Sequence, residues 1–167
     1  MGNSELTIKK GYKQTDVGII PEDWDVNLIE EISEVKSGKR LPLGKTLVET
    51  ATSHPYIRVA DMFWGGVAVE DLKFVPVEVF PSIKNYRIYK EDIFISVAGT
   101  LGLVGKIPEE LDGANLTENA NKLTNIKCNR DFLLYLLMSP LIQNAIESAR
   151  TLGAQPKLAL IDIIGNK

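Results

Sequence analysis

The chain has 167 residues, 44% of them hydrophobic and 25% charged, with a formal net charge of −3. That length fits one domain with a real core, burying roughly 70% of its unfolded surface, and no stretch approaches the roughly 20 apolar residues of a membrane-spanning helix. The acidic balance excludes a protein that coats nucleic acid through bulk positive charge, so any such contact must come from local patches.

Residues 1 to 10 are polar and without period, a loose lead-in. Met1 to Leu6 carry no basic-then-apolar signal pattern, and Leu6 stands where a myristoylation motif needs Ser or Thr, so a cytoplasmic location is expected. Trp24, Val26, Leu28, Ile29 and Ile32 give a mixed strand and short-helix pattern, closed by Ser37-Gly38. From Pro55 to Lys127 the signals are mostly strand-like, with runs at 56–59, 67–69, 86–89, 93–97, 103–107 and 122–126 separated by Gly, Asp, Asn and Pro turns. The apolar run Phe132 to Met138 predicts a buried helix or strand. Ser139-Pro140 then opens a helix with Ser as N-cap and Pro at the first position, and Gly153 closes it. Leu141, Ile142, Ala145, Ile146 and Ala149 share one face of that helix. The expectation is an α+β fold: a twisted, mainly antiparallel sheet with flanking helices.

Basic residues gather twice. Lys36, Lys39, Arg40 and Lys45 have no acidic residue between Glu34 and Glu49, and Lys122, Lys127 and Arg130 have none between Glu118 and Asp131. Cys128 and His54 are each the only residue of their kind, which rules out a disulfide within the chain and the usual Cys/His zinc site. Cys128 reads as a packing residue. His54 lacks the Ser/Asp pattern of a catalytic triad.

Several motifs fall short of a chemistry. Gly99, Gly102, Gly105 and Lys106 miss P-loop spacing, and Ile107 replaces the magnesium-binding hydroxyl, so these glycines predict a tight turn where another backbone or DNA can come close. Ser53-His54-Pro55-Tyr56 puts His54 at the first proline position of the adenine-methyltransferase loop, with no glycine-rich cofactor strand before it. Asn115-Leu116-Thr117 fits a glycosylation triplet, without meaning in a chain that shows no secretion signal. Asp61, with Asp71-Leu72-Lys73, is the best enzymatic rival: a small Mg²⁺-dependent nuclease holding metal on two carboxylates and activating water through Lys73. Asn115, Thr117, Asn119 and Asn121 alternate, so an extended stretch would project them to one face as hydrogen-bonding partners for base edges or phosphates. The competing reading has them pairing with their own loop backbone.

Four stretches in fixed order carry a resemblance: Gly11 to Trp24, Ser96 to Gly105, Asn115 to Leu123, and Gly153-Ala154-Gln155-Pro156-Lys157-Leu158. Together they resemble the DNA-reading half of a type I restriction-modification specificity subunit, over roughly Gly11 to Leu160. Tyr12-Lys13-Gln14-Thr15 with Gly18-Ile19-Ile20-Pro21 and Trp24 looks like the family's lead into a target recognition domain, and Gly153 to Leu158 like its exit.

The resemblance implies a recognition domain over 11–160 that reads one half of a split site in double-stranded DNA. It also implies a spacer helix or tail beginning over 161–167, so a truncated subunit or excised domain is expected, with a second recognition domain or a homodimer completing the assembly. Methylation, with its S-adenosylmethionine, and ATP-driven cleavage would belong to partner modification and restriction subunits; no cofactor, metal or catalytic residue is expected here. Lys39, Arg40, Lys45, Lys84 and Lys122 are the candidates for phosphate positioning. Arg58, Arg87, Thr100, Asn115, Thr117, Asn119, Asn121 and Gln155 are the candidates for loop or base contacts.

Overall fold

The computed structural model describes residues 7–151 and 159–162. Strands β1 (Tyr12–Thr15) and β2 (Gly18–Pro21) form a hairpin, and β3 (Asp25–Leu28) runs into the short helix α1 (Ile29–Ile32), where Glu31 Oε2 reaches back to accept the Leu28 N–H at 2.6 Å. Then come β4 (Glu34–Ser37), β5 (Pro55–Ile57), β6 (Met62–Phe63), β7 (Gly66–Val67), β8 (Lys73–Phe74), helix α2 (Phe80–Ile83) and β9 (Arg87–Ile88). The chain continues through β10 (Ile93–Ser96), β11 (Val104–Lys106), β12 (Ala114–Leu116) and β13 (Ala120–Thr124) into α3 (Arg130–Met138), α4 (Pro140–Thr151) and β14 (Ala159–Asp162). The expected α+β class holds.

The predicted sheet is in fact divided. One four-stranded antiparallel sheet runs β11-β10-β13-β4; a second, ordered β8-β5-β12-β9, pairs β5 and β12 in parallel. The turn 117–119 joins β12 to β13 and so passes the chain from one sheet to the other. Successive residues of a strand face opposite ways, and β10 uses both sides: Ile93 joins Val104 and Leu123 under Leu133, Leu134 and Leu137 of α3 and Ile142 and Ile146 of α4, whereas Phe94 joins Ile57, Ile88, Leu111 and Leu116. Burying each such side chain contributes about 1.5–3 kcal/mol before conformational entropy is charged against it.

The run Phe132 to Met138 is helical, with the Asn129 side chain accepting the Phe132 N–H at 2.9 Å as N-cap. Ser139 turns the other way from its expected role: its hydroxyl donates back to the Leu136 carbonyl at 2.6 Å. The apolar face of α4 narrows to Ile142 and Ile146, because Leu141 and Ala145 are exposed. Gly153 lies outside the described residues. Cys128 packs half-buried beside the helix-covered core, as a packing residue should. Strand β14 pairs antiparallel with β3, from Ala159 opposite Leu28 to Asp162 opposite Asp25.

Gly105 fulfils the close-approach expectation. A Cβ there would stand 2.5 Å from the Gly66 nitrogen and 2.6 Å from the Phe94 ring. The bare backbone lets the β6-β7 hairpin dock on β11, with Gly65 N–H donating to Val104 O at 2.9 Å and Lys106 N–H to Gly65 O at 3.1 Å.

Candidate nucleic-acid interface

Three loops meet at one end of the two sheets. Gly38 N–H donates to Ala120 O at 3.1 Å and Lys39 N–H to Leu116 O at 2.9 Å, which straps the loop after β4 across the 117–119 turn. The fit admits only glycine, since a Cβ on Gly38 would lie 2.0 Å from the Thr117 carbonyl oxygen. The loop after β10 joins from the other side, where Val97 and Ala98 N–H groups donate to Asn119 O at 2.8 and 3.3 Å. That loop turns through Gly99 (φ 75°) and Gly102 (φ 80°), the conformation that favours glycine. Ser96 holds its base: the hydroxyl accepts from Leu103 N–H at 2.8 Å and donates to the Thr100 carbonyl, while Gln143 of α4 donates to Gly102 O at 3.1 Å. Lys39, Arg40, Thr100 and Asn119 are thereby brought to one end of the molecule, all exposed.

Glu118 sits among them, although in the sequence it marks only the boundary of a basic run. Its Oε1 is 3.3 Å from Arg40 Nε, and its Oε2 accepts the Thr117 hydroxyl at 3.1 Å and lies 3.4 Å from Tyr56 Oη. Tyr56 Oη donates to Lys39 O at 3.0 Å, and burial first, with the Glu118 charge adding to it, pushes its pKa up to about 12. The Lys39 ammonium lies over the Tyr86 ring, 5.7 Å from its centre. The sequence signal that marks this spot is a lone acid inside an amide and hydroxyl cluster.

The remaining candidates separate. Lys45 is exposed in the same long loop as Lys39, beyond the turn at Gly44, and Lys84 is exposed after α2. Arg87 on β9 lies between rings, 5.9 Å from the centre of Phe80 and 5.6 Å from that of Tyr89, and the His54 ring stacks on Phe80 at 3.6 Å with the planes 4° apart. Gln155 lies outside the described residues.

Four expectations need correction. Lys122 is turned inward rather than toward a phosphate: its side chain is 13% exposed, its ammonium donates to Arg87 O at 2.5 Å and lies 3.9 Å from Asp92, and burial lowers its pKa. Asn115 is 1% exposed, its amide donating to the Ile83 and Tyr86 carbonyls at 2.8 and 3.3 Å. Thr117 is buried as well, and takes up Glu118 and the Asn119 N–H. The four alternating side chains do not share a face, because residues 117–119 turn; Asn121 falls instead beside Ile95 and Ser37 in the first sheet.

Arg58 is equally committed. It grips Asp61 through Nε at 3.0 Å and Nη2 at 2.5 Å, donates to Asp71 O at 2.9 Å, and its backbone N–H also reaches Asp61 at 2.8 Å. The bond to Asp61 raises the Arg58 pKa. Lys73 bridges Glu49 at 2.9 Å and Asp71 at 3.2 Å. The nuclease trio is therefore spent on ion pairs, and the described residues hold no cluster of three His, Cys, Asp or Glu suited to a metal. None of their helices is long and apolar enough to cross a membrane.

The family described as type I restriction modification DNA specificity domain matches residues 21–163. The chain belongs to that family. It is 23% identical over 136 residues to the type I restriction enzyme MjaVIII specificity subunit of Methanocaldococcus jannaschii, and 22% identical over 147 residues to the EcoBI specificity subunit of Escherichia coli. These matches take in 78% and 87% of this chain but 31% of each relative, so the chain spans about a third of their length. The fold is similar to that of the HsdS subunit from Thermoanaerobacter tengcongensis, with a TM-score of 0.62 at 14% identity, over 91% of this chain and 36% of that one. A second solved structure, described as the basis of complex assembly and conformational transition of the type I R-M system, gives 0.63 at 15% identity, over 86% and 35%.

Proposed function

We propose that this chain is a sequence-specific DNA-binding module, reading one half of a split site in double-stranded DNA and directing the modification and restriction subunits of a type I restriction-modification system. The observation that carries the reading is the meeting of the 38–40, 97–102 and 117–119 loops, whose backbones are hydrogen-bonded to the 117–119 turn or its flanking strand ends and which carry the exposed Lys39, Arg40, Thr100 and Asn119. Cations fix a protein on phosphates, and amide and hydroxyl side chains read base edges. Membership in the specificity-domain family supports the same division of labour, in which this chain does no catalysis.

Residues 11–160 form the recognition domain on this reading, and a second recognition domain or a second copy of the chain supplies the other half-site. The work is cytoplasmic. A selection from randomised duplexes with the purified chain tests the proposal: a recovered consensus with salt-sensitive binding supports it. Equal binding to all sequences, or none, overturns it.

A further inference from the structure

We propose that Glu118 is a base-reading residue that selects cytosine through its major-groove amino group. The inference rests on the DNA-reading function proposed above. A carboxylate on a face that meets phosphates is repelled by every one of them and needs donors to stay there: Arg40 and Thr117 supply them in the free chain, and a base donor can take over when Arg40 turns to a phosphate. In the major groove a carboxylate accepts well from cytosine N4, whereas guanine offers two acceptors, thymine an acceptor and a methyl, and adenine a donor flanked by the N7 acceptor.

The side chain is also held ready. The Thr117 hydroxyl donates to Oε2 at 3.1 Å, and the Tyr56 hydroxyl, whose proton goes to Lys39 O, packs 3.4 Å from it; both belong to buried residues, so one edge of the carboxylate is fixed from below. The other oxygen faces Arg40, whose side chain is 75% exposed against 30% for Glu118. A long exposed arginine can swing to a phosphate and uncover Oε1, leaving an acceptor already aimed outward; little ordering entropy is then spent on binding.

The test is the randomised-duplex selection run on the whole chain, its E118Q variant and its R40A variant. The wild type should demand cytosine at one position. E118Q keeps an oxygen for the Thr117 hydroxyl but adds a donor, and should lose about tenfold in discrimination there while its preference moves toward adenine. R40A should weaken every sequence alike and keep the cytosine. A methyl group on N4 of the selected cytosine should weaken the wild type about tenfold and leave E118Q indifferent, a readout that does not depend on how well the variant folds. An unchanged consensus for E118Q, or a uniform loss with a lowered melting temperature, overturns the role of Glu118 while leaving the DNA-reading function standing. A wild type with no consensus removes both.

Discussion

The Lys122 ammonium and the Asp92 carboxylate face each other across 3.9 Å with 13% and 4% of their side chains exposed. Lys122 also donates to Arg87 O at 2.5 Å and lies 5.5 Å from the centre of the Tyr89 ring, while Asp92 accepts the Tyr89 N–H at 2.9 Å. This pair ties β13 to the segment between β9 and β10. Removing one member of a buried pair leaves the other charge uncompensated, so Lys122→Met should cost about 3 kcal/mol in urea unfolding. Adding Asp92→Asn should recover much of it. Neither change should alter the salt dependence of DNA binding, which distinguishes an internal pair from a phosphate contact.

The basic pair at the interface predicts the opposite pattern. Lys39 and Arg40 are exposed on a loop anchored by its backbone. Replacing both by Ala should leave the melting temperature nearly unchanged. It should lower the slope of log K against log salt by about 0.9 for each phosphate that is no longer neutralised, for all sequences alike. Titration across a series of salt concentrations measures this directly.

Gly38 predicts a coupled loss. The Thr117 carbonyl that a Cβ would strike at 2.0 Å is backbone and has nowhere to go, so Gly38→Ala should destabilise the domain by about 1–3 kcal/mol. It should also weaken DNA binding, because the same strap positions Lys39 and Arg40. Gly44→Ala is the control: open space surrounds that position, leaving only the strain of φ 79° and a cost nearer to about 1 kcal/mol, with binding retained.

Tyr56 predicts an alkaline limit. Its pKa is raised from the ordinary 10.0 to about 12, so the folded state keeps the proton that the unfolded state releases. That contribution is fully present below pH 10 and is lost as pH rises through about 12. Tyr56→Phe should remove this fall of melting temperature between pH 10 and about 12, and the ultraviolet difference absorbance of tyrosinate should place the missing transition near 12.

Much of this fold was legible because runs such as 93–97 are β-branched and aromatic between turn residues, whereas the apolar run Phe132 to Met138 left helix and strand both open. The site was legible less well, for reasons of register. Nothing near Lys122 in sequence announces Asp92, which reaches it only because Ile93 pairs with Leu123 across two strands. Arg58 and Asp61 stand at a readable spacing of three, but their grip on each other, and hence the failure of the nuclease reading, depends on the tight helical turn Val59–Asp61. The alternation from Asn115 to Asn121 misled because Thr117-Glu118-Asn119 turns without glycine or proline, the strongest turn signals, and its Asn119 fitted the alternation equally well.

That turn yields the sharpest contrast between two similar asparagines. Asn115 is buried, and its amide donates a second hydrogen bond to each of the Ile83 and Tyr86 carbonyls, which also accept the Tyr86 and Leu116 N–H groups, so Asn115→Ala gives up two buried hydrogen bonds and should cost about 1–3 kcal/mol of stability. Binding should then weaken for every duplex in proportion to the unfolded fraction, with the consensus intact. Asn119 is exposed, and it serves the loop after β10 through its backbone carbonyl, which Ala retains. Asn119→Ala should therefore melt like the wild type, keep the salt slope, and lose about 1–3 kcal/mol of discrimination at one base pair. Thermal melts and a binding selection on the two variants decide it: a destabilised Asn119→Ala with unaltered base preference would make Asn119 a scaffold residue and move the reading function to its neighbours Glu118 and Thr100.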